Sequence, residues 1–320
     1  MRLFILLLIS IPIFTYGQNP ISKAFLKDSL IIVKSKPSEG FNNSYILFIP
    51  KGTLKNKLTY LLVEPNNTGK LSDSIEVHKR SAINLASKSS VGNNVSTYLK
   101  IPLLVPIFSR PDSIPLVYTH ALDRDVIFEK DNKLERLDLQ LLAMIENAQE
   151  VLKDNGILTY DKIFMNGFSA SATFTNRFLF IHPEKVKAAA MGGYNGELML
   201  PLKKYKNKAF NYPLGINDFE KIFNKKFNKN SYQYIPQYIY MGALDENDAV
   251  QFDDAYDNIE RNTINSTLGN NVQERAINCQ NIYKKENISA QFKTYEEVGH
   301  WTTSSVNLDV IKFFLKQLQK

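Results

Sequence analysis

Apolar residues along this chain fall first into short runs and then into runs that alternate between short and long. Leu30–Val33, Tyr45–Ile49 and Leu58–Val63 read as three strands, with turns between them rich in Pro, Gly and Asn. The third ends in Glu64-Pro65-Asn66-Asn67-Thr68-Gly69, a turn-forming cluster that cannot continue a ladder. Ser72 to Ser89 has helical spacing, with Asp73 as cap and Ile75, Ala82, Leu85 and Ala86 on one face. Leu103–Phe108 is unbroken apolar sequence, as expected of a strand buried on both faces. Asn132 and Glu135 have the spacing of a capping box. A long amphipathic helix follows through Leu137, Leu141, Ile145, Ala148 and Leu152, stopping at Asn155-Gly156. Lys162–Phe168 is then a strand, and Ala170, Phe174, Phe178 and Ile181 define a helix ending at His182-Pro183. Strands at Val186–Met191, Tyr238–Met241 and Ala290–Tyr295 alternate with helices at Asn270–Lys285 and Ser304–Leu318. This alternation predicts an α/β domain: a mostly parallel sheet with helices on both faces and ligand-binding loops beyond the carboxyl ends of its strands.

Composition narrows the picture. Met1-Arg2, an apolar stretch from Leu3 to Phe14, and the small residues Thr15 and Gly17 before Gln18 have the form of a cleavable signal peptide over residues 1–17. Residues 18–320 then form one domain, secreted or periplasmic, with no stable membrane insertion after cleavage. The apolar stretch is too short for a comfortable span. Cys279 is the only cysteine, so no intramolecular disulfide forms and stability must come from a packed core. The net charge of +7 is mostly lysine, without an arginine stripe or basic–aromatic interleaving, which argues against a nucleic-acid partner. With only His78, His120, His182 and His300 available, a multi-histidine metal site is hard to assemble, and no Gly-rich phosphate loop appears.

The chemistry gathers around Gly167-Phe168-Ser169-Ala170-Ser171, one substitution from the G-x-S-x-G elbow. A strand that turns at once into a helix needs small residues two positions either side of the turn. It projects the turn residue clear of the sheet beside a helix N-terminus. A serine there is exposed, and the following N–H, that of Ala170, can face a developing oxyanion. A serine hydroxyl also needs a base and a group that orients the base. Gly299-His300 directly follows the last strand, and Gly242-x-x-Asp245 follows the strand before it. Asp248 lies three residues further on and is the alternative to Asp245 on spacing alone, although it is better placed to cap the next segment.

The elbow, the His-Pro closing its helix, the G-x-x-D and the final Gly-His together resemble a secreted bacterial α/β-hydrolase. The chain is similar in layout to the polyhydroxybutyrate-depolymerase, feruloyl-esterase and prolyl-oligopeptidase-like branches, and the likeness in strand order spans residues 29 to 320. The resemblance implies that Ser169 is the nucleophile, His300 the general base and then acid, and Asp245 the orienting residue. It also implies an acyl-enzyme and no cofactor. No His-Gly-Gly-Gly string follows the third strand, so the second oxyanion donor is expected from its position to be the N–H of Asn67 or a neighbour. His120, on a loop near Arg124, is a candidate substrate contact; His78 reads as solvated and His182 as a capping or surface residue. Residues 194–236 are longer than a crossover needs and are expected to form a cap. Their aromatics would pack the cap onto the sheet beneath a solvated lysine face, or would bind an acidic or sugar-linked aromatic substrate. The expected function is cleavage of a small-molecule or oligomeric ester. A peptidase or acyltransferase with the same triad, or a non-catalytic binding protein on this fold, is the alternative.

Overall fold

The computed structural model of the chain describes residues 24–88, 90–131 and 133–319. The expected leader and Asn132 of the expected capping box lie outside them. The chain begins with strands β1 (Ser29–Val33), β2 (Tyr45–Ile49), β3 (Leu58–Thr59) and β4 (Leu62–Val63). Helices α1 (Ile75–Ser87) and α2 (Val91–Leu99) lead to β5 (Leu103–Pro106), and α3 (Arg124–Phe128) and α4 (Leu137–Asp154) lead to β6 (Leu158–Thr159). The elbow unit is β7 (Ile163–Phe168) and α5 (Ala170–Ile181), followed by β8 (Val186–Gly192). The short elements β9 (Lys204–Tyr205), β10 (Lys208–Ala209), α6 (Phe219–Phe223) and α7 (Lys229–Gln233) precede β11 (Gln237–Gly242). The chain closes with α8 (Asn258–Thr267), α9 (Val272–Lys285), β12 (Ala290–Tyr295) and α10 (Ser304–Leu318).

Eight strands form one sheet in the order β1-β2-β5-β4-β7-β8-β11-β12, antiparallel at β1–β2 and β2–β5 and parallel from β5 onward. Strand periodicity divides the core into two layers. Tyr45, Leu47, Met165, Met191 and Ile239 face the layer covered by α4, α5 and α9, where the lone Cys279 is wholly buried. Ile46, Phe48, Phe164, Ala190 and Tyr240 face the layer covered by α1, α2 and α10. Both faces of the inner parallel strands are therefore dry, which explains their unbroken apolar runs, while the edge strand β12 exposes Gln291, Lys293 and Thr294.

Local departures from the sequence reading have identifiable causes. The third expected strand breaks at Tyr60, whose ring stacks between Tyr160 and Phe164 at 4.5 and 4.4 Å. Before the break β3 pairs with β6, and after it β4 enters the main sheet. Asp73 does not cap α1; it accepts from the N–H and hydroxyl of Ser113 instead. Helix α4 starts only at Leu137 because Arg136 is left-handed (φ 45°), with its guanidinium turned onto Asp138. His182, expected as a capping or surface residue, is the C-cap of α5 and is buried, its Nε2 2.9 Å from Asp138 Oδ2. Hydrogen bonds from Arg136 and His182 outweigh burial and hold the Asp138 carboxyl at about 2.

The expected cap, residues 194–236, is anchored at the back of the elbow helix. Its aromatics pack against the far half of α5: Phe180 stacks on Phe227 at 5.2 Å and Tyr232 at 4.1 Å. Lys225 Nζ reaches 3.5 Å from His182 Nδ1, at the end of α5 remote from the elbow. Lys225 is thus carried away from the elbow, Lys206 reaches the Thr267 carbonyl and Lys229 pairs with Glu286. Adding salt is expected to change kcat/KM equally for an anionic ester and a neutral analogue of the same size. A steeper fall for the anionic ester would return the lysines to substrate attraction.

Candidate active site

Three loops at the carboxyl ends of β7, β11 and β12 make the site. The elbow is forced by packing: a Cβ on Gly167 would stand 2.2 Å from the Ser171 carbonyl oxygen, so only glycine lets α5 turn back across β7. Ser169 takes the strained conformation expected at the turn, φ 60° and ψ −129°, and its N–H donates to the Gly192 carbonyl at 2.8 Å. Ser171, where glycine is common in the resembled family, has a use for its hydroxyl. It accepts from the Phe168 N–H at 2.8 Å and donates to the Phe168 carbonyl at 2.9 Å, tying the turn across its base.

The second close approach is at Gly242, where a Cβ would lie 2.0 Å from the Val298 carbonyl oxygen. Its absence lets the loop after β11 lie against the loop after β12, and the Leu244 N–H donates to the Val298 carbonyl at 2.9 Å. This contact carries Asp245 to His300. The His300 Nδ1 lies 3.0 and 3.1 Å from the two Asp245 carboxylate oxygens, and its Nε2 lies 2.9 Å from Ser169 Oγ. A carboxylate only accepts, so Nδ1 carries the proton and Nε2 is left to accept from the Ser169 hydroxyl. Asp245 is buried and also accepts from the Asn247 N–H at 3.0 Å. His300 is part-exposed, its ring 5.0 Å from that of Phe168, and the neighbouring Trp301 is 55% exposed.

Asp248 has other duties. It caps the short 3-10 turn Ala249–Gln251 through the Val250 N–H and pairs with the wholly buried Arg275. Ala170, as the first residue of α5, has an N–H without an intrahelical acceptor. Val63 is in register with Met165, and Asn67 stands four residues beyond the one as Ser169 stands four beyond the other. Asn66 is held by Phe108, accepting from its N–H at 3.1 Å and donating to its carbonyl at 2.8 Å.

His120 is no substrate contact: it is wholly buried, and its Nε2–H donates to the Phe108 carbonyl at 2.9 Å. Burial pushes its ring down to about 3, so it stays neutral. His78 is likewise buried rather than solvated. Among the described residues no three His, Cys, Asp or Glu side chains stand together as metal ligands would.

A narrow hollow adjoins Ser169 and Ala170, and of residues 194–236 only Asn195 borders it. Its walls also include Tyr118, Arg177, Asn247 and Tyr256, none of which the sequence reading singles out. Arg177 is buried and donates to the Ala121 carbonyl at 3.0 Å and the Tyr256 hydroxyl at 2.9 Å. The Tyr256 hydroxyl in turn donates to Glu197, a carboxyl raised above its ordinary range by burial. The hollow thus sets these polar groups among Ala121, Ala170, Ala249 and Ala255, with its arginine already partnered. Asn247 Nδ2 is 3.3 Å from His300 Nε2 and shares that nitrogen with Ser169. Position two residues beyond Asp245 is the available signal for Asn247; Arg177 and Tyr256 have none.

No family model and no curated protein matches the sequence. Solved structures do. The chain superposes on poly(aspartic acid) hydrolase-1 from Sphingomonas sp. KT-1 with a TM-score of 0.60 at 14% identity, covering 92% of this chain and 100% of that one. For LpqC, a poly(3-hydroxybutyrate) depolymerase from Bordetella parapertussis, the TM-score is 0.54 at 12% identity, over 91% and 90% of the two chains. For an S-formylglutathione hydrolase from Agrobacterium tumefaciens it is 0.51 at 10% identity, over 95% and 98%. The fold is that of the α/β-hydrolases.

Proposed function

We propose that this chain is a serine hydrolase of carboxylic esters, exported from the cell, with Ser169, His300 and Asp245 as its triad. The observation that carries the reading is His300, one nitrogen on the Ser169 hydroxyl and the other on a buried carboxylate. Ser169 Oγ attacks the ester carbonyl as His300 Nε2 takes its proton. The resulting oxyanion is met by the Ala170 N–H and by the N–H of Asn67 or its neighbour. Collapse breaks the bond to the alcohol, which leaves with the proton from His300. Water then repeats the sequence on the acyl-enzyme, freeing the acid and Ser169. Asp245 holds the imidazole in the tautomer that can accept and stabilises the imidazolium. Covalent labelling by a fluorophosphonate probe, with the modified residue located by mass spectrometry, tests the reading. Labelling at Ser169 is expected, and an unlabelled, well-folded protein would end it.

Export rests on residues 1–17. The protein recovered from the cell exterior or periplasm is expected to begin at Gln18, as N-terminal sequencing would show; an intact Met1 there would refute cleavage.

A further inference from the structure

The loop 64–69 follows a strand of only two residues and has no ladder of its own. An oxyanion donor works only if it is aimed before the charge develops. Phe108 holds Asn66, and the Asn67 carbonyl accepts from the Ser81 hydroxyl at 3.0 Å; Thr68, on the other side of Asn67, is held by side chains as well. Two buried histidines, from α1 and from the turn Thr119–Ala121, converge on it. His120 spends its Nε2–H on the Phe108 carbonyl, which leaves Nδ1 as an acceptor, and the Thr68 N–H lies 3.4 Å from it. His78 Nε2 lies 2.8 Å from the Ser72 carbonyl and 3.3 Å from the Arg110 N–H; the shorter contact, to a group that only accepts, places the proton on Nε2, and Nδ1 then accepts from the Thr68 hydroxyl at 2.7 Å. The two rings meet edge to face, 5.7 Å apart at 72°.

We propose that His78 and His120 are positioning residues, which grip Thr68 by its hydroxyl and its N–H and thereby fix the adjacent Asn67 as part of the oxyanion site. The inference rests on the reading of Ser169 as nucleophile. It gives both histidines a part in the rate, through backbone placement, with no contact to substrate.

The two nitrogens of His120 can be separated chemically. Asparagine places an acceptor near the position of Nδ1, whereas glutamine places a donor near the position of Nε2. His120→Asn keeps the hold on Thr68 and loses that on Phe108; His120→Gln does the reverse. Both variants lose one buried hydrogen bond and are expected to melt lower by similar amounts. His120→Asn should keep kcat within about threefold of wild type, and His120→Gln should lose about 10²-fold in kcat with KM little changed. Thr68 is half-buried, so its variants test the other grip without touching the core. Thr68→Val should lose about tenfold in kcat, and Thr68→Ser, which keeps the hydroxyl, should lose almost none. Equal kcat for the two His120 variants, or wild-type kcat in Thr68→Val, overturns the positioning role. A wild-type protein that does not label with fluorophosphonate overturns the nucleophile reading instead, so the two failures are told apart.

Discussion

Ser169→Ala is expected to fold and melt like the parent and to lose turnover by about 10⁶-fold, the scale seen when a triad nucleophile is removed. The strain at residue 169 is a matter of its backbone, φ 60°, and alanine carries the same Cβ into that conformation as serine does. The serine hydroxyl is bonded to His300 rather than to the core, so removing it unpairs only a part-exposed ring nitrogen, which Asn247 already approaches. Stability and activity should therefore separate cleanly. Measuring kcat on any ester that the wild type cleaves, beside a thermal melt, checks this. A folded Ser169→Ala protein with wild-type kcat would remove the residue from the chemistry.

The second large effect is at the orienting carboxylate. Asp245→Asn leaves the shape of the side chain but places an amide NH₂ opposite His300 Nδ1 in one orientation, which favours the ring tautomer with its proton on Nε2. That tautomer cannot take the serine proton, and the amide cannot stabilise the imidazolium. In a serine protease the same change costs about 10⁴ in kcat, and a loss on the order of 10³–10⁴ is expected here. Asp248→Asn should differ in kind. From the sequence alone it would cost about 1 kcal/mol or less, because asparagine also caps. The pairing with buried Arg275 raises the expectation to about 3 kcal/mol of stability, with kcat within tenfold. The opposite ranking in kcat would move the third member of the triad to Asp248.

The parts of this molecule legible in the sequence are those where backbone geometry dictates residue type locally. The elbow is one: a strand, a strained turn and a helix in immediate succession admit few sequences, and Gly167 and Ser171 are marks of that crowding. Asp245 and His300 are legible because each lies in the loop that follows a strand, where a parallel sheet presents its functional residues. Helix α2 escapes the sequence reading because Val91-Gly92-Asn93-Asn94-Val95 has poor helix propensity. It forms because Ser90 caps it at the Asn93 N–H and because Val91 and Val95 are buried beneath the sheet. Gly92 is helical for a reason outside the helix: any Cβ there would meet the buried Glu64 carboxylate. Helix α8 does carry a signal, the capping box of Asp257 and Glu260. The histidines mislead for a different reason. His78 stands beside Lys79 and Arg80, and His182 before a proline, so their neighbours describe a surface. The partners of His78, Thr68 and Ser72, come from the loop that leads into its helix, and Asp138 reaches His182 from α4; burial of a polar ring is decided by such partners, which spacing along the chain does not announce.

Cys279 bears on how the molecule's opening can be timed. It sits on α9, wholly buried, and burial pushes its thiol up to about 12, so the reactive thiolate is scarce while the core is closed. As the sole thiol, it gives any thiol reagent a single place to react, and reaction requires α9 to lift from the sheet. In excess reagent, the appearance of one modified sulfur per chain then becomes a clock for that excursion. Its rate in native buffer, set beside the rate in the unfolded chain, gives the fraction of time the core beneath α9 spends open.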